Sequence, residues 1–230
     1  MLKKIKGLSL LMVMISSTAI ANPNAIYIEQ VGEASTITVT QTGQNNTIGS
    51  ENDRFILGGN AQDMIIVQSG SNNIINGRIT NAAGVKYNVN ITGNSNENIF
   101  NTGSIASVAG TEQTMSITGD NNFTTFNQGD ISSSTNAKLT YAFTGDYNTL
   151  TTNINTDDVF NLVNVTGDQN TITTTQNGYA GKKIEMNVIG SLNTINIDQK
   201  STTNVDTLKL DTTGTGSTIN ITQCNISTNC

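Results

Sequence analysis

Asp120, Asp146 and Asp168 each stand directly after a glycine, in "TGDN", "TGDY" and "TGDQ". Carboxylates at equivalent positions could hold calcium, because they are hard oxygen ligands, whereas cleavage of a polysaccharide would need a close acidic pair. Equivalent positions in neighbouring copies hold Gln44, Ser71, Asn94 and Ser191, so the acidic row is short. Stacked carboxylates also repel one another, and the favoured role is that of gatekeepers that slow premature assembly. Asp157-Asp158 is the densest acidic pair and reads as a solvated turn. With no His in the chain, the commonest general base is absent, and no motif supplies a Ser nucleophile with a partner. Gly214-Thr215-Gly216 is too short for a phosphate loop without a following helix. The expectation is a protein that is not an enzyme, with no cofactor, no metal site and no small-molecule substrate.

The only cysteines, Cys224 and Cys230, fall in the last seven residues. In an oxidising setting they are expected to form a disulfide that clamps the tail. A tetrahedral metal site lacks the His or second Cys pair needed to complete it.

Such a setting is implied by the first residues. Lys3, Lys4 and Lys6 form a positive start, Leu8 to Ile15 an apolar run too short to span a membrane, and Ala19-Ile20-Ala21 a small-x-small exit. Residues 1–21 therefore read as a secretory signal, and the mature protein begins near Asn22 and is exported. Without those three lysines the chain keeps 8 of its 11 basic residues against 17 acidic ones, and the net charge moves from -6 to -9. Nucleic acid is excluded as a partner, since phosphate binding rests on clustered Lys and Arg. The chain is 35% hydrophobic, 5% aromatic and 12% charged, with no Trp. Low charge separates it from the usual disordered composition, so a repetitive architecture must replace a conventional core.

The elements that position the aspartates supply that architecture. Gly43, Gly70, Gly93, Gly119, Gly145, Gly167, Gly190 and Gly214 recur at spacings of 27, 23, 26, 26, 22, 23 and 24. Three residues after them stand Asn46, Asn73, Asn96, Asn122, Asn148, Asn170 and Asn193, with Ser217 in the last copy. Glycine suits a tight turn through positive φ or close backbone approach, and stacked asparagines can hydrogen-bond from coil to coil as amide ladders. The flanks alternate with period two, as in Leu139-Thr140-Tyr141-Ala142-Phe143 before the turn and Ile172, Thr174 and Gln176 after it. No segment keeps a helical period. Each repeat is thus strand, tight turn, strand and looser return, and the fold class is all-β: an amyloid-like β-solenoid over 22–223, followed by the tail 224–230. Gly32 is read as the opposite corner of the first coil. Variable segments such as 50–62 and 77–84 are expected to make that corner elsewhere. Counting strands predicts about eight two-stranded coils in a rod roughly 40 Å long.

These motifs resemble the curlin repeat, Gln-x-Gly-x-x-Asn-x-Ala with a second Gln four residues on. Gln30-x-Gly32, Gln41-x-Gly43-x-x-Asn46-x-Ile48 and Gln68-x-Gly70-x-x-Asn73-x-Ile75 carry the likeness, and Gln41, Gln128, Gln176, Gln199 and Gln223 supply the second Gln. Later copies depart from it, with Ile91, Ile117, Phe143, Val165 and Val188 in place of the first Gln. The resemblance implies an extracellular amyloid-type fibre subunit that works with a nucleating partner and an outer-membrane secretion channel. A solenoid's ends are open strand edges, and here Ile26, Ile28 and Gln30 at one end and Ile219 and Ile221 at the other are the expected polymerisation edges. The alternative from a different class is a monomeric ice- or surface-binding module that uses outward Thr ladders such as Thr149-x-Thr151 and Thr171-x-Thr173.

Overall fold

A computed structural model of the chain describes residues 11–15, 23–30, 35–57, 62–79, 82–84, 86–102, 108–110, 112–128, 134–135, 138–178, 181–200 and 206–224. These residues contain strands and no helix, and every strand pairing is parallel. Parallel neighbours are what a coil of constant hand must produce, since each strand lies on its counterpart one repeat earlier. The fold is a β-solenoid.

Two sheets face one another across each coil. The first comprises Leu11–Ile15, Ser35–Gln41, Gln62–Gln68 and Lys86–Ile91. Past Ile91 it continues as extended segments joined by alternate hydrogen bonds, such as Met115 N–H to Asn88 O (2.9 Å) and Met186 N–H to Leu162 O (2.9 Å). Its first strand, Leu11–Ile15, lies within the expected leader and pairs with Ile37–Gln41. The second sheet, reached after each tight turn, runs without a break through Ala25, Thr47, Ile74, Glu97, Phe123, Thr149, Thr171, Thr194 and Thr218. Three short strands, Ala82–Ala83, Val108–Ala109 and Ser134–Thr135, form a small third sheet on consecutive returns.

Six turns, at Gly70, Gly93, Gly119, Gly145, Gly167 and Gly190, are sandwiched between turns on both sides, so the solenoid has about six turns rather than the expected eight. The difference lies at the tips. Beneath the Gly43 turn no glycine turn stands among the described residues, only the strand Leu11–Ile15 on the first sheet and the rung and strands from Asn24 on the second, and beyond the Gly214 turn no further coil stands among the described residues.

A second correction concerns the variable segments. Phe55–Leu57 is not corner but strand, pairing with Ile28–Gln30 on one side and Arg78–Ile79 on the other. The extra residues leave as a loop between Ile48 and Phe55, closed by Ser50 N–H to Asp53 O (2.7 Å), after which the strand resumes in register. Gly77 lies within the strand Ile74–Ile79, and its missing side chain makes room for the Phe55 ring, which a Cβ there would overlap.

Alternation decides what fills the coils. Inward residues of the first sheet include Ile37, Val39, Met64, Ile66, Val89, Ile91, Met115, Ile117, Leu139, Tyr141 and Phe143, and those of the second include Ile48, Ile75, Phe100, Phe126, Leu150, Ile172, Ile195 and Ile197; all are buried. Aromatic rings pack edge to face within this core, Phe55 on Phe100 at 6.3 Å and Phe126 on Tyr141 at 6.4 Å.

Candidate functional site

The repeated corner is where the sequence concentrates its polar residues, and its geometry follows from stacking. A Cβ on Gly145 would lie inside contact distance of the Gly167 carbonyl, and one on Gly167 would meet the Gly190 carbonyl likewise. Close approach of successive turns therefore requires glycine here. Positive φ plays the lesser part: Gly43 and Gly70 adopt it (97° and 87°), whereas in later turns the residue before the glycine does, at Thr144, Thr166 and Ile189. The left-handed position common to the turns is two residues after the glycine, at Asn45, Asn72, Ser95, Asn121, Tyr147, Gln169, Leu192 and finally Gly216, with φ of 55–71°.

Next comes the asparagine. Asn46, Asn73, Asn96, Asn122, Asn148, Asn170 and Asn193 are all buried and lie in one row. Each side-chain oxygen from Asn46 to Asn170 takes two donors from the coil after it: the backbone N–H and the Nδ2 amide of the next Asn, at 2.9–3.1 Å. Nδ2 also reaches the next turn's glycine carbonyl, as from Asn73 to Gly93 O (2.7 Å) and from Asn193 to Gly214 O (3.0 Å). A buried amide is tolerable only when its groups are paired, and here a ladder pairs them. It ends at Ser217, whose backbone N–H still donates to Asn193 Oδ1 (2.9 Å).

The carboxylates beside the ladder are used by the backbone. Asp120, Asp146 and Asp168 each accept, through Oδ1, the N–H of the residue one coil earlier: Asn94 (2.6 Å), Asp120 (2.7 Å) and Asp146 (2.8 Å). Asn94 Oδ1 and Ser191 Oγ do the same for Ser71 and Asp168. The row thus ties coils together as well as carrying charge. Among the described residues no group of three or more His, Cys, Asp or Glu could hold a metal ion. Asp157 and Asp158 occupy a bend after the strand Thr149–Asn155, with Asp158 exposed at φ 53°.

The glutamines separate into two rows. Gln41 pairs with Gln68 in the first sheet, followed by Ile91. Gln128, Gln176, Gln199 and Gln223 share a second-sheet row with Ile154, and Gln30 reaches the same row through Leu57, Ile79 and Thr102. Gln176 donates to Gln199 Oε1 (2.9 Å) and Gln199 to Gln223 Oε1 (2.8 Å). Gly32 and Cys230 lie outside the described residues. Cys224 is disulfide-bonded.

Ile26, Ile28 and Ile219 are partly buried and pack on the end of the core, and Ile221 is half-buried too. Inward positions that are closed elsewhere are thus open at both tips. Thr218–Gln223 pairs with Thr194–Gln199 alone among the described residues, and Ala25–Ile26 and Ile28–Gln30 have a neighbour on one side only.

Three features were not read from the sequence. Asn24 is a further rung: its Oδ1 accepts from Asn46 N–H (3.0 Å) and its Nδ2 donates to Gly43 O (3.3 Å); the spacing of 22 residues to Asn46 was the available signal. On the outside of the first sheet, Asp63, Lys86, Glu112, Lys138, Phe160 and Lys183 stand in one row, where alternating charge and a Lys183 cation over the Phe160 ring (5.6 Å) favour this register. In that row the Lys183 ammonium, 2.9 Å from Glu185, also holds the Glu185 carboxyl below its ordinary range. Third, Lys182 and Asp206 form a buried ion pair at 2.8 Å that joins the last two coils.

No protein-family model, no curated protein and no solved structure matches this chain.

Proposed function

We propose that the chain is an exported structural subunit that stacks head to tail into an extracellular curli-like amyloid fibre, serving as biofilm matrix or surface adhesin. One observation carries the reading. The second sheet terminates at both tips in strands paired on one side only, Ala25–Gln30 and Thr218–Gln223, above inward apolar residues that are only partly covered. Such edges bind an added strand through main-chain hydrogen bonds, and the strand available in excess is the opposite tip of another copy. Export follows from the leader read over residues 1–21, and the curlin resemblance adds a nucleating subunit and an outer-membrane channel as partners. Catalysis, nucleic acid and small-molecule substrates have no part in this reading. Electron microscopy of purified Asn22–Cys230 chain at micromolar concentration tests it. Unbranched, thioflavin-positive filaments are expected; protein that stays monomeric for days would overturn it.

A second reading has its own support. Thr149, Thr171, Thr194 and Thr218 stand in one outward row and Thr125, Thr151 and Thr173 in another, as an ice- or surface-binding face would need. Asn196 and Asn220 interrupt the second of these rows and Asp198 the row beside it. Thermal hysteresis near freezing in a monomeric preparation would move the function to this face.

A further inference from the structure

The two tips carry the same code. Position by position along the unbroken second sheet, Ala25 falls on the row of Thr218, Ile26 on that of Ile219, Ile28 on that of Ile221 and Gln30 on that of Gln223. Along these rows both terminal strands therefore read Ile-x-Ile-x-Gln. Among the other second-sheet strands only Thr194–Gln199, which already packs in this register against Thr218–Gln223, has that code. The pairing of Ile195 with Ile219, Ile197 with Ile221 and Gln199 with Gln223 is thus an internal example of the contact the tips would make. Gln223 accepts from Gln199 and turns its own Nε2 to Thr207 O (3.0 Å), as Gln199 Nε2 turns to Lys183 O while also donating onward to Gln223. The onward donation is the one that an added copy would receive.

One row breaks the match. Asn24 at the leading tip has the complete amide of the ladder. Ser217 at the trailing tip has only a hydroxyl, in place of the amide whose Nδ2 donates to the rung before it from Asn73 through Asn193 and whose Oδ1 takes two donors from the rung after it. We infer that end-to-end growth joins Thr218–Gln223 of one copy to Ala25–Gln30 of the next in one register, Asn24 over Ser217, and that Ser217 is a weakened rung which limits the rate of growth. This rests on the fibre reading and specifies its junction. Once residues 1–21 are removed, the first sheet offers no strand opposite Ala25–Gln30 at that junction, so the second sheet carries the contact alone and a weakened rung there is felt.

Glu29 and Thr222 are exposed and would face each other outward across the junction, at the roughly 4.8 Å spacing of neighbouring strands, which is within disulfide reach. Filaments grown from equal parts of Glu29→Cys and Thr222→Cys chains, then mildly oxidised, should cross-link between copies; filaments of Glu29→Cys with Asn220→Cys chains, two positions out of register, should not. Separately, Ser217→Asn chains should extend wild-type seeds roughly three- to tenfold faster, the worth of one added hydrogen bond. Filaments that form but cross-link equally in both mixtures, or that elongate no faster with Ser217→Asn, would overturn the inference and leave the fibre standing. Absence of filaments from wild-type chain would instead overturn the fibre reading beneath it.

Discussion

Replacing Asn122 by Ala probes the ladder at its centre, away from both tips. Asn122 and its two neighbours in the row are at most 1% exposed. Its Oδ1 accepts from Asn148 N–H at 2.9 Å and from Asn148 Nδ2 at 3.1 Å, while its Nδ2 donates to Asn96 Oδ1 at 3.1 Å. Asn122→Ala leaves the Asn148 backbone N–H buried with no acceptor, a loss of about 1–3 kcal/mol, and removes a partner from the Asn148 amide at about 1 kcal/mol more. Asn96 Oδ1 fares better, because the backbone N–H of residue 122 still reaches it at 2.9 Å. The expected total is about 3 kcal/mol. Outward Thr173→Ala, by contrast, should stay within about 0.5 kcal/mol of wild type. Urea unfolding followed by circular dichroism, at concentrations too low for assembly, measures both. An Asn122→Ala chain no less stable than Thr173→Ala would refute the claim that the buried amides hold the coils together. The double variant Asn122→Ala with Asn148→Ala should lose less than the two single losses added, since they share hydrogen bonds.

Three other outcomes follow from the geometry. Gly145→Ala should cost at least about 2 kcal/mol, because its methyl meets the Gly167 carbonyl and the two turns must part; a change within about 0.5 kcal/mol by the same unfolding assay would contradict close stacking. Lys182→Met leaves the buried Asp206 carboxylate without its ammonium and should cost about 3–5 kcal/mol, whereas adding Asp206→Leu should recover most of that loss, as thermal unfolding of the two variants would report. Ile28→Lys and Ile221→Lys each put a charge where a half-covered isoleucine meets the next copy, and losing that burial at about 2 kcal/mol should slow seeded elongation at least about tenfold; unchanged kinetics would point to lateral association instead.

How much of this could be read beforehand depends on whether a feature repeats in residue type. The glycine and asparagine rows were legible because every coil has the same steric and hydrogen-bonding requirement, so the residues recur at Gly119–Asn122 as at Gly167–Asn170. The left-handed position between them escaped notice since Asn45, Ser95, Tyr147, Gln169 and Leu192 share a backbone conformation and no side-chain chemistry. Asn24 was missed because three residues before it stands Ala21 in place of a glycine, inside the segment read as a leader. Residues 50–62 read as a corner in the sequence, for nothing local distinguishes an excursion that rejoins its own strand at Phe55 from a return that starts the next. Asp63, Lys86, Glu112 and Lys138, and likewise Lys182 with Asp206, are paired by register alone across uneven spacings. The aspartates after Gly119, Gly145 and Gly167 were recognised as a row, and their backbone partners one coil earlier emerged only from the three-dimensional stacking.

The central claim is that the strands within one molecule become, by end-to-end addition, the strands of the fibre. X-ray diffraction from aligned filaments of the Asn22–Cys230 chain tests it most directly: the account predicts a sharp meridional reflection at about 4.7–4.8 Å, from strands perpendicular to the fibre axis. Filaments whose strand spacing falls on the equator, with the solenoids lying across the fibre, would contradict it.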